Sequence, residues 1–161
     1  MSFGRGTLEL ATSINGNIMP SSSSNEKRSA VQGLGEIALR VNDLDSVQKF
    51  YEEVIGLQLM TRFPNAAFFK IANGHGGHTQ VLALFDRSHI PGYKGTDPET
   101  STIDHIAFEI PLADFAAEVK RLNGLGLAVE TAEHTWVHWR SLYVTDPEGN
   151  QVELVAYDPS V

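Results

Sequence analysis

Hydrophobic and polar residues alternate along Gly35-Glu36-Ile37-Ala38-Leu39-Arg40-Val41. The alternation predicts a half-buried strand with Ile37, Leu39 and Val41 on one face and Glu36, Ala38 and Arg40 on the other. The period then changes. Asn42 or Asp43 can cap a helix whose apolar positions, Leu44, Val47, Phe50, Tyr51 and Val54, fall three and four apart, and Gly56 ends it. Three further strands are expected over Leu57–Phe63, Ala66–Ile71 and Gln80–Phe85, separated by the turn signals Pro64-Asn65 and Asn73–Gly77. The order is βαβββ.

The same order recurs. Asp104-His105-Ile106-Ala107-Phe108-Glu109-Ile110 repeats the first strand phrase, and Ala113–Leu122 forms a helix with Phe115, Val119 and Leu122 on its apolar side. Strands follow over Ala128–Thr131, Trp139–Val144 and Gln151–Tyr157, the last two joined by the tight turn Asp146-Pro147-Glu148-Gly149-Asn150. The registers agree: the helix-ending Gly56 and Gly126 lie 70 apart, and Glu36 and His105 lie 69 apart. A repeat of this period predicts two modules that bury faces against each other. The fold class is α+β, with two βαβββ modules forming a curled, mixed-sheet cleft. Residues 33–158 make one domain: module one at 35–86, a Pro- and Gly-marked linker at 87–102, and module two at 103–158. The polar, aperiodic stretch 1–32 is expected to be a disordered leader, with a docking strand over Thr7–Thr12 as the alternative.

Composition narrows the chemistry. A chain of 161 residues can bury one sizeable core. Its net charge of -8 and scattered 12 Lys and Arg argue against nucleic acid as a partner. No apolar run nears the roughly 18 residues of a spanning helix, and no secretory signal is visible, so no membrane partner and a cytoplasmic location are expected. There is no cysteine, which excludes disulfides, a thiolate nucleophile and a thiolate zinc site. Any metal must therefore be held by His, Asp, Glu, Gln or Tyr, a set suited to Fe(II), Mn(II), Ni(II), Co or Zn(II).

Glu36 and His105 stand at the same position of the two strand phrases, and Glu153 lies on the last strand of module two. A carboxylate on a buried strand face is costly unless it is paired or metal-bound. Together the three form a candidate divalent-metal set. Aligning the last strands of the modules puts Val81 where Glu153 stands, so module one offers one ligand and the site keeps open positions. Taken singly, each residue also fits a plainer role: Glu36 on a solvent-facing strand, His105 as a structural histidine, and Glu153 as an ordinary alternating position. His75, His78 and Gln80 are nearby alternatives. The polar aromatic stretch Glu133–Tyr143 supplies candidate catalytic groups. His134 or His138 could exchange a proton near neutral pH, Arg140 could hold an anionic oxygen, and Tyr143 and Tyr157 could donate hydrogen bonds to a metal-bound oxygen. The same stretch would also suit a subunit interface.

Four phrases resemble the vicinal oxygen chelate superfamily, which includes glyoxalase I, bleomycin-resistance proteins, fosfomycin-resistance enzymes and extradiol dioxygenases. They are Gly35–Leu44, Lys49–Leu57, Asp104–Phe108 and Asp146–Leu154, and the likeness extends over about 33–158. The resemblance implies paired βαβββ modules around a divalent-metal cleft, with ligand positions corresponding to Glu36, Val81, His105 and Glu153. Glu36 departs from the His or Gln of many members, and Val81 from the Glu of glyoxalase I. The expected activity is that of a metal-dependent, dioxygenase-like enzyme acting on a small substrate chelated through adjacent oxygens. A glyoxalase I-like lyase or isomerase is one alternative, and a metal-free drug-binding protein of the bleomycin-resistance type is another. The resemblance also implies a homodimer, in which module swapping can put Glu36 and His105 of one cleft on different subunits.

Overall fold

The structure is a computed structural model, and it describes residues 30–161 except Thr96 and Pro98. Module one runs β1 (Glu36–Val41), α1 (Leu44–Lys49), a π-helical turn (Phe50–Val54), β2 (Gln58–Phe63), β3 (Ala66–Asn73) and β4 (Thr79–Asp86). Module two runs β5 (His105–Glu109), α2 (Leu112–Gly124), β6 (Glu130–His134), β7 (Trp139–Thr145) and β8 (Gln151–Tyr157). Each module builds a four-stranded sheet, ordered β1-β4-β3-β2 and β5-β8-β7-β6. The first strand of each lies parallel to the last, and the other pairs are antiparallel. The two modules belong to one compact unit, Gln32–Val161. Most of the expected leader, including Thr7–Thr12, lies outside the described residues. Among those residues no helix is long and apolar enough to cross a membrane.

Strand alternation sorts the residues as the pattern predicts. Leu39 and Val41 are buried while Glu36, Ala38 and Arg40 are exposed; in module two Ile106 and Phe108 are buried while His105, Ala107 and Glu109 are exposed. The inward faces of both sheets contribute to a single core, with Leu82 and Leu84 from β4 and Val152 and Leu154 from β8. Burying each such side chain contributes roughly 1.5–3 kcal/mol.

Two local features depart from expectation. The helix of module one, capped at its start by Asp43 accepting the Ser46 N–H at 3.0 Å, is α-helical only to Lys49; it then widens into a π turn. Widening carries the adjacent Phe50 and Tyr51 into the core together, which α-helical spacing alone does less well. The strand expected at Ala128–Thr131 begins instead at Glu130 and continues to His134, because its ladder to β7 runs from Glu130↔Tyr143 to His134↔Trp139.

The Asp146–Asn150 turn fastens the modules together. Asp146 Oδ1 accepts the N–H groups of Glu148 and Asn150, both at 2.9 Å, while Oδ2 accepts from Asn150 Nδ2 at 2.8 Å and from the Tyr51 hydroxyl at 3.3 Å. Glu148 Oε1 accepts the N–H groups of Asn42 and Asp43 at the start of α1. Arg121 of α2 adds a third link, donating to the Val54 carbonyl at 2.7 Å. Burial first, then the Asp146 carboxylate, pushes the Tyr51 phenol far above its ordinary value, so it stays a donor.

Candidate metal site

The outward face of module two's sheet carries His105 at the start of β5, Tyr143 on β7 and Glu153 on β8. Glu153 is opposite Ala107 in the parallel ladder and opposite Tyr143 in the antiparallel one, so the small Ala107 side chain leaves room beside it. His105 Nε2 lies 3.0 Å from Glu153 Oε2. The other carboxylate oxygen, Oε1, accepts the Tyr143 hydroxyl at 3.2 Å. On its far side the His105 ring meets Asp104, with Nδ1 to Oδ1 at 2.7 Å, and the ring stands edge-on to Tyr143 at 5.9 Å between centroids. A further link joins the Tyr143 hydroxyl to His134 Nε2 at 2.9 Å. Asp104, His105, Glu153, Tyr143 and His134 thus form one unbroken chain of contacts.

Exposure is graded along that chain. The Glu153 side chain is 2% exposed, while His105 is 37% and Asp104 90% exposed. Burial raises the Tyr143 phenol above its ordinary value; the Ser141 hydroxyl opposes the shift and the neighbouring Glu153 charge adds to it. Ser141, two residues along the same face, is completely buried.

A buried carboxylate oxygen beside an imidazole nitrogen is a donor pair that fits a divalent ion accepting mixed N and O ligands. Asp104 behind His105 strengthens that fit: a carboxylate on Nδ1 fixes the ring's orientation and leaves Nε2 facing Glu153. His105 and Glu153 therefore meet as the sequence predicts. Glu36 is on the outward face of the other sheet, exposed and opposite Val81. Among the described residues, no three His, Asp or Glu side chains of one chain converge as a metal site. The first strand sits two residues differently on the last strand in the two modules, which makes either Val81 or Ala83 the counterpart of Glu153. Neither has a donor atom.

The expected catalytic groups separate. Tyr143 is in the chain of contacts. Tyr157 shares its face but stands four residues along from Glu153, about 13 Å by strand geometry, and packs edge-on against His138 at 6.0 Å. His138 occupies the β6–β7 hairpin with φ 58, its ring on the Val161 carbonyl and its own carbonyl accepting the Asp158 N–H. Arg140 alternates to the opposite face with Leu142, where Nε meets Asp158 Oδ2 at 2.6 Å and Nη2 meets Glu133 Oε1 at 3.2 Å. The Ser160 hydroxyl and N–H, followed by Arg140, hold the Asp158 carboxyl down to about 2. One group, Asp104, was signalled only by its adjacency to His105. His134, expected as a possible acid–base, is instead held against the Tyr143 hydroxyl at the end of β6.

The comparisons agree with this fold. The model of the Glyoxalase/Bleomycin resistance protein/Dioxygenase superfamily matches residues 33–154. The chain is 28% identical over 126 residues to "Glutathione transferase FosA" of Serratia marcescens, covering 77% of this chain and 80% of that one. It is 30% identical over 125 residues to "Metallothiol transferase FosB" of Lysinibacillus sphaericus, covering 77% and 82%. Among solved structures, lactoylglutathione lyase from Agrobacterium tumefaciens shares 27% identity at a TM-score of 0.58, covering 80% of this chain and 96% of that one. The fosfomycin resistance protein FosX of Listeria monocytogenes shares the fold at 21% identity and a TM-score of 0.57, covering 81% and 97%.

Proposed function

The chain belongs to the Glyoxalase/Bleomycin resistance protein/Dioxygenase superfamily, and on that basis we propose that it is a metal-dependent enzyme that activates a small substrate, held through adjacent oxygens, for reaction with a thiol. The observation that carries this reading is the pairing of His105 with the buried Glu153, with Nε2 and Oε2 at 3.0 Å. The thiol enters from the relatives, which are named as a glutathione transferase, a metallothiol transferase and a lactoylglutathione lyase. His105 and Glu153 would hold the ion and Asp104 would orient the imidazole. In a homodimer Glu36 of a second copy would supply the third donor, since each chain presents Glu36 on one outward sheet face and the pair on the other. When bound, the divalent ion supplies Lewis-acid polarisation of a substrate oxygen. Tyr143, uncharged near neutral pH and placed beside the donor pair, can donate a hydrogen bond to an oxygen that gains negative charge. His138 and Tyr157, at the far end of the same face, would line the cleft. Arg140 would brace the chain end through Asp158.

Metal loading tests the reading first. Purified protein incubated with Fe(II), Mn(II), Ni(II) or Zn(II) should retain close to one ion per chain; less than about a tenth of an equivalent would leave the metal-free drug-binding alternative. The loaded enzyme should then consume a thiol with an electrophilic substrate from a panel that includes fosfomycin and methylglyoxal. The dioxygenase-like alternative is favoured by one observation: with Val81 and Ala83 both lacking donors, three protein ligands leave space for a bidentate substrate and oxygen. Oxygen uptake with a catechol panel, without thiol turnover, would establish it instead.

A further inference from the structure

His134 touches the hydroxyl of Tyr143, and that contact gives it a definite task. Tyr143 carries a single hydroxyl proton. A carboxylate only accepts, so that proton points to Glu153 Oε1 across the 3.2 Å contact. The phenol oxygen is left with lone pairs alone. At 2.9 Å, His134 Nε2 must therefore be the donor, which requires the Nε2-protonated tautomer.

We propose that His134 is a positioning residue: by donating Nε2–H to the Tyr143 oxygen it fixes the Tyr143 hydroxyl on Glu153 Oε1, so that only Oε2, the oxygen facing His105, is presented for ligation. Two observations converge on this assignment. The two Glu153 oxygens have separate partners, Tyr143 on Oε1 and His105 on Oε2. Glu153 is almost fully buried, so water does not substitute for a lost partner at little cost. With His134 removed, the phenol is free to swing, and Glu153 Oε1 loses the contact that sets its orientation.

The inference rests on the metal-site reading for its consequence, whereas its premise can be tested without metal. In metal-free protein at pH 8.5, ¹⁵N–¹H spectra should show His134 as the Nε2–H tautomer with a protected ring proton. Tyr143→Phe should abolish that protection. A dominant Nδ1–H tautomer, or protection unchanged in Tyr143→Phe, would overturn the proposal even if the protein binds metal well.

Metal titration against a chromophoric chelator tests the consequence. His134→Phe should weaken Zn(II) binding by about tenfold, in the range of outer-shell partners. His134→Gln, whose amide keeps a donor at similar reach, should recover most of it. In the Tyr143→Phe background, His134→Phe should change the affinity by less than about twofold, because the two act through one hydrogen bond. Full additivity, or wild-type affinity in His134→Phe with unchanged circular dichroism, refutes the role. If wild-type protein binds no metal, the proposed function falls, and the tautomer experiment alone decides whether His134 orders Tyr143.

Discussion

Module one and module two share strand order, a parallel outer pair and one inward apolar face, yet their outward faces differ sharply. The face of module two carries the chain Asp104–His105–Glu153–Tyr143–His134. At the comparable positions module one has Glu36 alone, with Val81 or Ala83 where a second donor would stand. Duplication has preserved the scaffold, which depends on alternation and core volume. The chemistry resides in a few outward side chains that alternation does not constrain. The scaffolds are unequal inside as well. The helical segment of module one buries Leu44, Val47, Phe50 and Tyr51, whereas α2 of module two fully buries only Leu122.

Breaking the donor pair should produce the largest effect. His105→Ala or Glu153→Ala should lower metal affinity by more than the roughly 100-fold that a supporting residue can cost, with the fold retained by circular dichroism. The proposed division of labour between modules can be tested by mixing. Glu36→Ala and Glu153→Ala chains, each deficient alone, should regain about one intact site per mixed dimer if Glu36 acts across copies. No recovery after co-refolding would place Glu36 outside the site.

The unequal helices offer the next test. Leu122→Ala should destabilise the chain by about 2–5 kcal/mol, because it empties the one fully buried position of α2. Tyr51→Phe should cost less, about 1 kcal/mol, since Asp146 keeps three other hydrogen bonds after losing the hydroxyl. Urea unfolding measures both. A reversed order would mean that the hydrogen bond from Tyr51 to the Asp146 turn outweighs the core contact of α2.

The fold was legible because its signals are local and repeated: period-two strands, helix-ending glycines and the twin Ile-Ala phrase. His105 and Glu153 were legible as a pair because one stands at a repeated position and the other follows a recognisable turn. The rest of the site depends on side-chain direction. Tyr143 and His134 are nine residues apart in sequence, and their contact follows from the β6–β7 ladder and the lean of two rings, neither of which composition encodes. Arg140 was read as facing the site because charge suggested a role; alternation along β7, with Leu142 and Val144 turned inward, places it on the other face. The Asp146 turn was read as a turn, and its second task, accepting the Tyr51 hydroxyl 95 residues away, has no local signature.

The smallest effect compares the ends of the two last strands. Asp86 and Asp158 each close a turn by accepting the N–H of a serine two residues on, at 2.8 Å and 2.9 Å. Asp158 also accepts the Ser160 hydroxyl at 2.6 Å and pairs with Arg140. Both carboxyls are lowered, Asp86 chiefly by Ser88 and Asp158 to about 2. A carboxyl whose pKa is lower in the folded than in the unfolded chain stabilises the fold above its unfolded value, near pH 4, and loses that contribution as pH falls through its folded value. Wild-type protein should therefore lose stability progressively between about pH 4 and pH 2. Asp158→Asn should flatten this acid limb, and Asp86→Asn should flatten it less, because Asp86 has no comparable arginine hydrogen bond. Urea midpoints at pH 5, 4 and 3 give the comparison. Equal flattening by the two variants would show that the serine turns carry the effect and that Arg140 adds nothing to it.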